Sequence, residues 1–150
     1  MKSRGDYLTT EDMKFWLNRA FYANKKIQAL DVLIKQCRER ADGLSIKFEH
    51  NDKAKSDTRL NCTENAFMKL ADVEYRYNEQ KQELLRVSEE ISDTITLLHD
   101  YELETVLIYR YLLFYTIEQT AELMNYSPES IRRKTKKAIE KLCELIPPTS

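Results

Sequence analysis

From Trp16 the apolar or small positions run Trp16, Ala20, Ala23, Ile27, Leu30, Ile34, Cys37, Ala41 and Leu44, alternating steps of four and three. That alternation keeps one stripe of side chains on one helix face, the signature of a seam packed against another helix. Thr9, with Asp12 three places on, supplies a start, so the spacing predicts a first long helix from Thr9 with a seam of about 28 residues, or roughly 42 Å. Residues 1–8 show no such pattern and are expected to be loose. From Ser45 to Cys62 the chain turns polar and aperiodic, which reads as a loop whose ends are open to extension by the flanking helices. A second seam follows from a start near Asn61 or Thr63: Ala66, Leu70, Val73, Tyr77, Gln80, Leu84, Val87, Ile91, Thr94 and Leu98. Two matching seams joined by one loop predict an antiparallel helical hairpin, closed within one chain or against a second copy. Gln80 and Thr94 are polar on the seam, so they either set register or lie near solvent.

Almost no linker follows, only Leu98, His99 and Asp100. Asp100 can cap a third helix whose inner side is Leu103, Val106, Leu107, Tyr111 and Phe114. Thr116 and Gln119 have capping-box spacing, and Ile117, Ala121 and Leu123 or Met124 give the next short helix its apolar side. Asn125–Ser127 alone separate it from the last helix, and Asn tolerates the left-handed turn this requires. Ser127 can cap that helix, Pro128 sits where a missing N–H costs nothing, and Glu129 complements the dipole. Ile131, Ala138 and Leu142 then face a core, with Thr135 filling the step between. A turn this short between two capped helices predicts a helix-turn-helix, in which small Ala121 permits close crossing. The expected organisation is therefore residues 1–99 as the hairpin and residues 100–150 as the helix-turn-helix module, carried by the hairpin as a rigid body. In a hairpin, Trp16, Phe21 and Tyr22 would lie near the end of the second helix, where they could meet that module.

Composition narrows the class. Two Gly and three Pro in 150 residues, a third of them charged, imply long helices and almost no strand, hence an all-α fold. A net charge of −1 excludes a general polycation, so affinity for nucleic acid must come from a local patch. Residues 128–142 hold one: Arg132, Arg133, Lys134, Lys136, Lys137 and Lys141 stand against Glu129 and Glu140, a local excess of four positive charges. Solvated surface helices also carry Lys and Arg. What favours DNA is that these cations follow a capped start, a short turn and a second capped helix.

Other chemistries find little support. Cys37, Cys62 and Cys143 are far apart and in no metal spacing, and read as reduced cytoplasmic thiols. His50 and His99 have no partner at ligand spacing. There is no Gly-rich phosphate loop or nucleophile elbow, and the carboxylates spread along faces opposite the seams. No enzyme, metal or cofactor is expected. No apolar run reaches membrane-spanning length and no leader opens the chain, so a cytoplasmic protein without membrane contact is expected.

The stretch Glu104–Leu142, "ETVLIYRYLLFYTIEQTAELMNYSPESIRRKTKKAIEKL", resembles region 4 of bacterial sigma-70-type factors. The matching pieces are Arg110-Tyr111, Gln119-Thr120-Ala121, Asn125-Tyr126-Ser127 and Ala138–Leu142. Thr120 departs from the usual branched apolar residue and Asn125 from the common Gly. The whole chain is similar to small phage-encoded regulators of the RinA-like and ArpU-like late-gene activator group, over about forty residues specifically and more loosely before them. The resemblance implies that Glu129 and Arg133 meet base edges and Arg132 a phosphate. Glu can accept from cytosine N4 and Arg can donate twice to guanine, so the chemistry fits. Ser130 and Lys136 are candidates on the same side, while Thr116, Ser127 and Lys137 suit the backbone. Pro128 stands where sigma factors often carry a base, so one contact would be missing.

The resulting expectation is a phage or prophage transcription regulator in a bacterial host, binding double-stranded DNA. A homodimer is expected because one small patch binds weakly and a second copy multiplies it. Its assignment to late genes comes from the resemblance alone. Two rivals stand beside it: an interaction module that docks on RNA polymerase, and a DNA-packaging accessory.

Overall fold

The computed structural model describes residues 8–49 and 56–146, which are helical apart from short turns and contain no strand. The chain is all-α, a long antiparallel helical hairpin followed by three shorter helices. Its elements are α1 (Thr10–Leu17), α2 (Arg19–Glu49), α3 (Ser56–Ile95), α4 (Tyr101–Leu107), α5 (Ile117–Met124) and α6 (Pro128–Leu145).

The first long helix is interrupted at Asn18. Thr9 does open it: the Thr9 hydroxyl accepts from the Asp12 N–H and the Asp12 carboxylate accepts from the Thr9 N–H, at 3.1 and 3.3 Å. The break comes where the Trp16 carbonyl, an acceptor for the next turn in an unbroken helix, instead receives Arg19 Nε at 3.1 Å, while the Asn18 N–H donates to the Lys14 carbonyl at 2.9 Å. At the ends of the loop expected over Ser45–Cys62 the flanking helices extend inward, α2 to Glu49 and α3 from Ser56. Polar sequence there is compatible with helix because it contains neither Gly nor Pro between Ile46 and Cys62. Residues 50–55 lie outside the described residues, as do residues 1–7 of the segment expected to be loose. Leu8, from that same segment, packs against the core.

Packing groups the chain differently from a boundary at residue 99. One unit is Ala23–Glu83; the other combines Met1–Tyr22 with Leu84–Ser150. In the first, Ile34 and Cys37 of α2 meet Val73 of α3, flanked by half-buried Leu30, Leu70 and Tyr77. Arg38 Nη2 reaches Glu74 Oε1 at 3.0 Å on the rim. Gln80 is half-buried rather than enclosed.

The second unit holds the larger core. Met13, Leu17 and Ala20 meet Val87, Ile91 and Ile95 of the end of α3 and Leu98 just after it, and both sets meet Leu103, Leu107, Tyr111, Ala138, Ile139 and Leu142. Phe21 meets Phe114 edge-on with ring centroids 5.9 Å apart, and Trp16 packs against the cluster. Arg19 pairs with Glu90 at 2.7 Å and lies over the Trp16 ring. The turn after α3 is a short 3-10 segment, Thr96–Leu98, closed by left-handed His99 at φ 48°. Asp100 then caps α4, its Oδ1 accepting from the Leu103 N–H at 3.1 Å.

Candidate nucleic-acid interface

α4 serves two cores because its apolar positions fall on two faces. Leu103 and Leu107, with Tyr111 four residues past the end of α4, face the large cluster, while Val106 meets Ala121 of α5 and Ile131 of α6, with Ile117 and Met124 alongside. The small Ala121 allows this approach. α5 opens on a complete capping box: Gln119 N–H to the Thr116 hydroxyl at 3.1 Å, and Thr116 N–H to Gln119 Oε1 at 2.9 Å.

The turn closes as its sequence suggests. Asn125 is left-handed at φ 59°, ψ 42°, the Tyr126 N–H donates to the Ala121 carbonyl at 2.9 Å and the Asn125 N–H to the Glu122 carbonyl at 3.3 Å. This is the Schellman pattern, with Asn where Gly is commoner. Thr120, the other departure from the sigma-like pattern, is fully buried, and its hydroxyl donates to the Thr116 carbonyl at 2.8 Å. A buried hydroxyl satisfied within its own helix adds little net stability. Thr120→Val is therefore expected to change unfolding free energy by less than about 1 kcal/mol; a larger loss in thermal melting would show the hydroxyl has another partner.

The Ser127 hydroxyl caps α6 by accepting from the Ser130 N–H at 3.2 Å, and Pro128 occupies the first turn. Ile131, Ala138, Ile139 and Leu142 are buried on one side of α6. At 3.6 residues per turn the opposite side is the stripe of Glu129, Arg133, Lys136, Lys137 and Glu140, all exposed. Ser130 is half-buried; its hydroxyl receives both Ser127 Oγ at 3.1 Å and Arg133 Nη2 at 3.3 Å, so it steadies Arg133. Arg132 lies on one flank, 58% exposed, with Nη2 a loose 3.9 Å from Glu118 Oε1. Thr116, Ser127 and Pro128 are exposed. Ser127 and Thr116 are both engaged as caps; the Ser127 hydroxyl also gives its proton to Ser130 Oγ, whereas the Thr116 hydroxyl, which only accepts, keeps a proton to donate.

Lys134 does not act with the other cations. Its Nζ is 2.7 Å from Glu102 Oε1 of α4 and 4.6 Å from the centre of the Tyr126 ring. The hydrogen bond from Lys134, then that from Tyr126, holds the Glu102 carboxyl below the usual carboxylate range, and the same contact raises the Lys134 and Tyr126 pKa values. Tyr126, Ser130, Arg133, Lys134 and Lys137 line a groove of about 310 Å³ on this flank.

A carboxyl lowered on folding stabilises above its unfolded pKa and loses that contribution as pH falls through the depressed value; a raised lysine or tyrosine loses its contribution as pH rises through the raised one. Melting temperature is thus expected to fall on the acid side less steeply for Glu102→Gln than for the parent chain. Parallel acid limbs in thermal unfolding would remove Glu102 from that role.

Three residues at this module escaped the sequence reading. In the sequence Tyr126 is only part of a turn, yet its ring lies under the lysine eight residues on. Arg110 belongs to the sigma-like motif in the sequence, and in the structure its Nη1 donates to the Tyr115 carbonyl at 2.7 Å. Lys14 lies beside Arg132 and Lys136 along a common cleft, and no spacing in the sequence links it to them. Cys143 donates through its thiol to the Thr9 carbonyl at 3.6 Å; burial, then nearby carboxylates, push its pKa up, which disfavours the nucleophilic thiolate. Among the described residues no cluster of His, Cys, Asp or Glu suits a metal, and no helix is long and apolar enough to cross a membrane. Compared with protein-family models, curated proteins and solved structures, the chain finds no match.

Proposed function

We propose that the chain is a sequence-specific DNA-binding regulator of transcription in a phage or prophage, acting on late genes, with α6 entering the major groove. The observation that carries the reading is the exposed stripe of α6: Glu129, Arg133, Lys136 and Lys137 project away from the buried Ile131, Ala138 and Leu142. Glu129 and Arg133 carry base-edge chemistry, and Arg132, Lys136 and Lys137 supply phosphate contacts. Ser130 orients Arg133. The exposed cap Thr116 offers its hydroxyl to the DNA backbone, Ser127 would do so by releasing Ser130, and Pro128 leaves its place without a charged contact.

Two copies acting together fit this reading, because the hairpin unit leaves Val32, Leu33, Phe67, Met68 and Tyr75 exposed. A partner hairpin would bury apolar surface there and double the number of recognition helices. Such a regulator works in the cytoplasm of a bacterial host.

The test is selection of bound duplexes from a random pool by the full chain. A recovered motif repeated at a separation of one helical turn, or a multiple, is expected. No enrichment beyond that obtained with an Arg133→Ala, Lys137→Ala double variant would end the proposal. The polymerase-docking alternative draws on apolar side chains of the same module that a DNA complex leaves unused, Tyr101 at 86% exposure, Leu113 and Leu123. Titration against polymerase with and without DNA separates the two.

A further inference from the structure

On the opposite flank of α6 from the Tyr126 groove lies a cleft of about 570 Å³. α1 sends Lys14 into its lining, the stretch after α4 sends Arg110, and α6 sends Arg132 and Lys136, against one carboxylate, Glu11. We propose that this cleft binds phosphate groups, several oxyanions at once. Four cations against one acid leave a marked positive excess, and the volume is that of a small-ligand pocket. Neither acid neutralises it firmly: Lys14 is 3.5 Å from Glu11 on an exposed helix turn, and Arg132 is 3.9 Å from Glu118. The Thr135 hydroxyl is committed to the Ile131 carbonyl at 2.7 Å, so the cations are the donors.

Arg110 is the best held of the four cations. Its Nη1 is fixed by the Tyr115 carbonyl, but its Nε is buried with no hydrogen-bond partner. Arg110 and Tyr111 stand in a π-helical stretch, Ile108–Leu112, and Phe114 shortly after has φ 61°. A π turn is rare and gathers at functional sites, and positive φ is strained for an aromatic residue. The π-helical stretch and the Tyr115 carbonyl together hold Arg110 in the cleft wall beside three further cations.

Phosphate oxygens reach such a site from a free nucleotide polyphosphate or from the DNA backbone. In either case Arg132 and Lys136 belong both to the cleft and to the proposed DNA surface. Occupation of the cleft by a free anion would weaken DNA binding by competition. Phosphate binding stands without the DNA reading; this coupling rests on it.

The experiment titrates the full chain with sodium tripolyphosphate and, separately, with duplex DNA over a range of salt, using the parent chain, Lys14→Ala and Arg133→Ala. Lys14 is exposed on α1, so its removal should leave the melting temperature unchanged. The expected result is saturable tripolyphosphate binding, weakened about tenfold by Lys14→Ala and unaffected by Arg133→Ala. If tripolyphosphate does not bind but Lys14→Ala lowers the DNA salt slope by about one, the phosphates belong to the duplex and the cleft assignment holds. Equal weakening of tripolyphosphate by both variants, or no response of either ligand to Lys14→Ala, overturns it. Tripolyphosphate binding that depends on Lys14 in a chain that binds no DNA would sink the proposed function and leave the cleft in place.

Discussion

Leu17→Ala is expected to destabilise the helix-turn-helix by about 2–5 kcal/mol, although α1 and α6 lie at opposite ends of the chain. Leu17 is fully buried in the cluster that also encloses Leu107, Ile139 and Leu142. Truncation removes the transfer free energy of the side chain and leaves a cavity that helices held on several sides close only in part. Because these residues share one core, the loss should appear at once in tryptophan fluorescence at Trp16 and in amide exchange along α6, with one midpoint in urea. If only signals from α1 respond while α6 keeps its protection, the core is not shared as described. Residues 100–150 alone are expected not to fold for the same reason: Leu103, Leu107, Tyr111 and Ala138 would lose the wall built by Met13, Leu17, Ile91 and Ile95. A folded fragment would show that the module from residue 100 needs no wall from α1 and α3.

The contrast shows what a linear pattern conveys. Local signals were legible: the Thr9 and Thr116 boxes, the Asp100 and Ser127 caps and left-handed Asn125 each depend on residues within a few positions, and each forms. The seams were legible too, since Ala20, Ile34, Cys37, Val73, Val87 and Ile91 are all buried. Less legible was anything set by a competing side chain. Arg19 takes the Trp16 carbonyl where α1 ends, one residue past the first seam position, and polar composition after Ser45 does not mark where α2 ends at Glu49 or where α3 begins at Ser56. Least legible was the sorting of cations on α6. Lys134 looks like its neighbours in sequence, and only Glu102, brought over by α4, distinguishes it. Lys14 joins the site because Met13 and Leu17 bury one face of α1 and thereby fix where the other face points.

That sorting makes the second large effect specific. Arg133→Ala is expected to reduce affinity for the selected DNA sequence by about 1–3 kcal/mol and to relax preference at one base pair, because a bidentate contact to guanine discriminates by that amount. Arg133 is exposed, so the loss should come without a change in melting temperature. Lys137→Ala should weaken all sequences alike and lower the slope of log affinity against log salt by about one, the mark of a single released counterion. Lys134→Ala should behave as neither: with its ammonium held by Glu102, removal should lower stability and leave the salt slope nearly intact. Affinity measured for the three variants at several salt concentrations on selected and scrambled duplexes separates these outcomes. If Lys134→Ala changes the slope as Lys137→Ala does, the ion pair opens on DNA and α6 presents a broader cationic face. If Arg133→Ala and Lys137→Ala both leave binding unchanged, the duplex does not meet this side of α6.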